Sequence, residues 1–96
     1  MSERTAAALA SLDALLALLP KLPAGADRDR VIEETDALRR ATAAFHMEAI
    51  RFRMHAVDRL IRATGNEPAT RTAFDAVRHE LEAAGFHTGS HAAPGA

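Results

Sequence analysis

The chain has no cysteine, no tryptophan and no tyrosine, and only four phenylalanines among its 96 residues. The missing cysteine removes disulfides, thiolate metal sites and cysteine nucleophiles together. Any aromatic core rests on Phe45, Phe52, Phe74 and Phe86. Charge of one sign is lacking as well. Twelve basic and thirteen acidic side chains leave a formal net charge of −1, so no global field draws nucleic acid or an anionic membrane surface. No glycine-rich phosphate loop, nucleophile elbow or cluster of catalytic carboxylates is present, so an enzyme ranks third, with a site across subunits from His46, Arg53 and a carboxylate still open, and no cofactor is implied.

Glycine and proline are missing where their absence says most. Between Gly25 and Gly65 neither occurs, and apolar residues recur at a helical period throughout. With Asp27 as N-cap and Gly65 as the C′ residue, this stretch reads as one helix over about 27–64, roughly 55 Å long. A shorter helix over about 2–19 precedes it, capped by Ser2 and stopped by Pro20, with Leu9, Leu12, Leu16 and Leu19 on its apolar face. Another follows over about 67–84, capped by Asn66 or Glu67 and closed by Gly85 at C′ and Phe86 at C″. Short connections make both flanking helices antiparallel to the central one. The fold class is therefore all-α, a single helical domain over 1–86 followed by a small, polar tail over 87–96 read as disordered.

What is present in excess is apolar surface on the long helix. One stripe runs through Val31, Thr35, Leu38, Thr42, Phe45, Ala49, Phe52, Ala56, Leu60 and Ala63, and the third helix folds back on its second half. A second arc, Met47, Ile50, Met54, Val57 and Ile61, is left over. Exposing five such side chains forgoes about 1.5–3 kcal/mol apiece, a sum near the stability of a whole domain. Those five and Phe45 are accordingly expected at a homodimer interface. The acidic stretch 27–36 (net −3) and the basic stretch Arg39 to Arg62 (net +4) favour antiparallel pairing of the two long helices.

Three polar sets compete for a functional role. His46 and Arg53 share an angular position between the two arcs, with Arg39 nearby in the pattern, and would suit a small anion in a helical seam. Arg53 equally suits a pairing with Glu82 or another acid across an interface. Asp75, His79 and Glu82 on the third helix have spacing compatible with a metal face. Arg40, Arg51 and Arg62 form a basic line that could follow phosphates, but Asp36, Glu48 and Asp58 are placed to compensate them, so nucleic acid is disfavoured. The run Ala6–Leu19 resembles a signal core, yet Glu3 and Asp13 contradict that reading and the run is too short to span a bilayer. The arginine and alanine bias matches a GC-rich bacterial genome. The expectation is a small cytoplasmic, oligomeric binding, adaptor or regulatory protein that acts on another protein, the alternative being an anion or metal sensor built on the His46/Arg53 seam.

Overall fold

The computed structural model describes residues 3–88. They form four α-helices and no strand: α1 (Ala6–Leu18), α2 (Ala26–Ala43), α3 (Met47–Ala63) and α4 (Pro68–Ala83). Short 3-10 turns over Glu3–Thr5 and Leu19–Lys21 flank α1. The expected cap Ser2 and the expected tail from Gly89 onward lie outside the described residues. Thr88, assigned to that tail by the sequence, is instead buried, and its hydroxyl donates to Glu82 Oε2 at 2.8 Å.

Each helix buries a quartet with the same spacing, i, i+4, i+7, i+11. The first is Ala8, Leu12, Leu15 and Leu19, its last member lying in the 3-10 turn after α1. The others are Val31, Thr35, Leu38 and Thr42 on α2, Ile50, Met54, Val57 and Ile61 on α3, and Thr70, Phe74, Val77 and Leu81 on α4. A 4-3-4 spacing keeps four side chains on one narrow stripe, as in the seams of four-helix bundles. The apolar members join in one core cluster that also takes in Leu22 and Phe86.

The closest helix pairs are α2 with α3 and α1 with α4. In the first pair, Arg53 of α3 reaches Glu34 of α2. In the second, Arg4, just ahead of α1, donates through Nε to the carbonyl of Ala84 at the end of α4, at 2.6 Å. Asp13–Arg39 ties α1 to α2 and Asp58–Arg71 ties α3 to α4, so each pair of consecutive helices is joined by an ion pair.

The single helix over 27–64 is not formed. It breaks at Ala44–His46 and the chain reverses, so the central 55 Å rod becomes the α2–α3 hairpin. The cap also differs, because Gly25 rather than Asp27 is the N-cap of α2. The reversal inverts the roles of the two arcs. Ile50, Met54, Val57 and Ile61, expected at a homodimer interface, are 0–1 % exposed within the chain's own core. Met47, the fifth, is 38 % exposed. On the arc expected to lie under the third helix, Phe52 is 59 % exposed. A bend between two helices frees their stripes from a common phase, and α3 turns its other arc inward. Four of the five side chains of that arc are thus covered by the chain's own helices.

Three of the helices end alike. Gly65 (φ 102°) and Gly85 (φ 96°) are left-handed C′ residues, as their positions in the sequence predict. Asn66 N–H reaches Ile61 O and Phe86 N–H reaches Leu81 O, the long-range bond of the Schellman motif. The end of α2 has the same pair of bonds, Phe45 N–H to Thr42 O at 3.1 Å and His46 N–H to Ala41 O at 3.0 Å. There the left-handed C′ residue is Phe45, at φ 56°.

Candidate functional site

The α2–α3 turn and the first half of α3 carry the exposed large apolar side chains of the described residues. Phe45 is 42 % exposed, and its ring meets that of Phe86 at a centroid distance of 5.9 Å. His46 follows as the N-cap of α3, its Nδ1 accepting from Ala49 N–H at 3.3 Å. Met47 begins α3, and Phe52 lies on the helix's outer side with the Arg53 guanidinium 5.4 Å from its ring centre. These are the three large apolar side chains exposed among the described residues. Near them on the outer side of α3 lie exposed His55 and exposed Arg59, and half-buried Arg51 sits beside Phe52. Neither Arg51 nor Arg59 forms an ion pair among the described residues, and Arg51 Nε is buried with no hydrogen-bond acceptor.

The anion seam proposed from the sequence is not assembled. Arg53 Nη1 donates to both oxygens of Glu34, at 2.6 and 2.7 Å, so its charge is already matched. The carboxylate partner is Glu34 and not Glu82, because the reversal at Phe45 brings α2 alongside α3. Arg39 points the other way, to Asp13 on α1, with contacts of 2.7 and 3.3 Å. The hydrogen bond from Arg39 holds the Asp13 carboxyl below its ordinary value of 3.8. His46, Arg53 and Arg39 thus serve three separate contacts.

The metal face fares similarly. No three histidine, aspartate or glutamate side chains are grouped to hold a metal ion among the described residues. Asp75 instead pairs with Arg78 at 3.1 Å, and Glu82 accepts from Thr88. Along the basic line, Arg40 pairs with Asp36 and Arg62 with Asp58, as the spacing indicated, but Arg51 does not pair with Glu48. Asp58 is shared with Arg71, 2.6 Å away on α4, a contact between helices that local spacing could not reveal.

One feature escaped sequence reasoning altogether. A shallow cavity of about 310 Å³ lies where the start of α2 meets the end of α3, lined by Pro23, Gly25, Asp27, Arg28, Ala63 and Thr64. Its opposed charges, Asp27 and Arg28, select neither anion nor cation. No helix among the described residues is long and apolar enough to cross a membrane. No family model, curated protein or solved structure matches this chain.

Proposed function

We propose that this is a small helical binding protein of the cytoplasm that acts through contact with another protein, using the outer side of α3 and the turn before it. The observation that carries this reading is the exposure of Phe52, 59 %, together with Phe45 and Met47, while the other large apolar side chains among the described residues are inside or half inside. Exposed phenylalanine beside two arginines that form no ion pair among the described residues suits a segment offering an apolar side chain flanked by carboxylates. The nearby Arg51 and Arg59 supply the positive rim. A ligand sensor built on His46 and Arg53 has less support, because Glu34 already occupies the guanidinium.

A photo-crosslinking residue placed at position 52 tests the reading in cells. A discrete adduct is expected, and it should vanish when Arg51 and Arg59 are both replaced by Glu. Phe52→Glu should leave stability within about 0.5 kcal/mol, as for other surface substitutions. Failure to form an adduct, or one indifferent to the charge reversal, would overturn the assignment. A melting temperature raised by phosphate in the native protein but not in Arg53→Met would support the sensor instead.

A further inference from the structure

The turn between α2 and α3 differs from the other two connections in one respect: its sequence does not stop a helix. Pro20, Pro23 and Gly25 lie in or next to the first connection, and Gly65 and Pro68 in or next to the third. The second is Ala44, Phe45 and His46, set between Thr42-Ala43 and Met47-Glu48-Ala49, all of them residues that a helix accepts. The turn depends on Phe45 standing at φ 56°, where a side chain other than glycine's is disfavoured by roughly 5- to 30-fold. Little holds it there. Beside the two backbone bonds of the helix end, one 3.3 Å cap from His46 and a ring contact with Phe86 are the side-chain interactions found here among the described residues, and Phe45 remains 42 % exposed.

We propose that this turn is a hinge, and that the chain also forms a domain-swapped homodimer in which α2 and α3 run on as one helix. Each copy's α3 and α4 would then pack on the other copy's α1 and α2. The occupant of the opened face is a second copy of this chain, and the antiparallel packing of α2 against α3 argues for it. Two straightened helices laid antiparallel about a two-fold axis at Phe45–His46 restore that packing, with Glu34 of one copy meeting Arg53 of the other. The clasp of Arg4 on Ala84 and the packing of α1 on α4 are likewise remade between copies. Asp13–Arg39 and Asp58–Arg71 stay within a copy, because each lies on one side of the hinge. All four buried quartets are preserved, so opening exposes no core side chain in the assembled pair. Straightening also supplies helical partners to the backbone groups that the two helix ends leave open. Strained short hinges in small domains are a known route to such exchange. This inference rests on the backbone of the turn and not on the partner surface proposed above, with which it shares Phe45.

The test uses the full chain, which contains no cysteine, with Arg30→Cys and Arg59→Cys as sites for spin labels. Both positions are exposed. Refolding at about 1 mM with excess unlabelled chain should yield a dimer fraction by light scattering beside the 10.3 kDa monomer. Within a labelled chain the two sites lie under about 20 Å apart in the hairpin and about 44 Å apart in a straight helix. The dimer should show the long distance and the monomer the short one. Phe45→Gly should shift the equilibrium toward monomer by roughly tenfold or more, and joint Phe45→Ala, His46→Ala replacement should shift it toward dimer. A dimer that keeps the short distance, an equilibrium indifferent to Phe45→Gly, or no dimer from either the native or the alanine chain would overturn the proposal.

Discussion

Arg53 on α3 holds both carboxylate oxygens of Glu34 on α2, at 2.6 and 2.7 Å, and so fixes which stretch of α2 lies beside which stretch of α3. The acidic first half of α2 is thereby laid along α3, whose four arginines outnumber Glu48 and Asp58. The charge asymmetry that favoured antiparallel pairing of two chains is met inside one chain.

This pair should be worth about 1 kcal/mol, since Arg53 is 38 % and Glu34 20 % exposed and solvent screens part of the attraction. A double-mutant cycle with Glu34→Gln and Arg53→Met, read by urea unfolding, gives the coupling directly. A coupling below about 0.2 kcal/mol would show that the contact does not set the register.

At position 45 the usual order of glycine and alanine should reverse. Phe45→Gly is expected to be about 1 kcal/mol more stable than Phe45→Ala, because only glycine adopts the left-handed conformation freely. Thermal unfolding of the two variants at equal concentration decides the point. Alanine equal to or above glycine would mean that the turn is not left-handed in solution.

The inversion of the two arcs of α3 makes opposite demands on Ile61 and Phe52. Ile61→Ala removes a side chain that is 0 % exposed and should cost about 2–5 kcal/mol. Phe52→Ala should change stability by about 0.5 kcal/mol or less. If Phe52 is the costlier loss, the arc facing the core has been assigned wrongly.

Thr35 and Thr42 occupy equivalent places in the α2 quartet but are satisfied differently. The Thr42 hydroxyl donates to Leu38 O at 2.9 Å, whereas buried Thr35 Oγ1 has no partner. Thr35→Val should therefore stabilise the protein by about 1 kcal/mol, and Thr42→Val should not. Urea midpoints of both variants against the native chain test the contrast.

Acid should loosen the start of α4. Glu67 accepts from Thr70 N–H at 2.9 Å, and this bond to the backbone is the main cause holding its carboxyl below the ordinary 4.5. A carboxyl lowered in the folded state stabilises the fold above its unfolded value. That contribution is lost as pH falls through the folded value. The difference in melting temperature between the native chain and Glu67→Ala should thus be present at neutral pH and shrink once the pH drops below about 4. A difference constant down to pH 2 would exclude the cap as its source.

How much of this was legible depended on whether each helix end used its customary residue. Gly65 and Gly85 announce two Schellman endings, and both form, with Phe86 packed at C″. The third has Phe45 in glycine's place, so neither composition nor propensity marks it, and the weak cap His46 adds no clear start signal. From that one unmarked turn follow the other differences. Stripes read as continuous across residues 44–46 were two stripes in different phase, and the apolar surplus that called for another chain was the core itself. On α2, where no break intervened, Val31, Thr35, Leu38 and Thr42 are the buried face that the spacing indicates. The candidate site was harder to see, because Arg53–Glu34 and Arg39–Asp13 join residues on different helices, and periodicity carries no information on such pairs.

The clasp of Arg4 on Ala84, with the same guanidinium 5.7 Å from the Phe86 ring, brings the two ends of the bundle together. The polypeptide can therefore be treated as a loop of four helices whose order of synthesis is a matter of where it is cut. Joined at those ends by a short linker and opened between Phe45 and His46, it becomes a circular permutant reading α3, α4, α1, α2. Such a chain retains all four inward stripes, dispenses with the left-handed phenylalanine, and has no hinge left through which two molecules could trade halves.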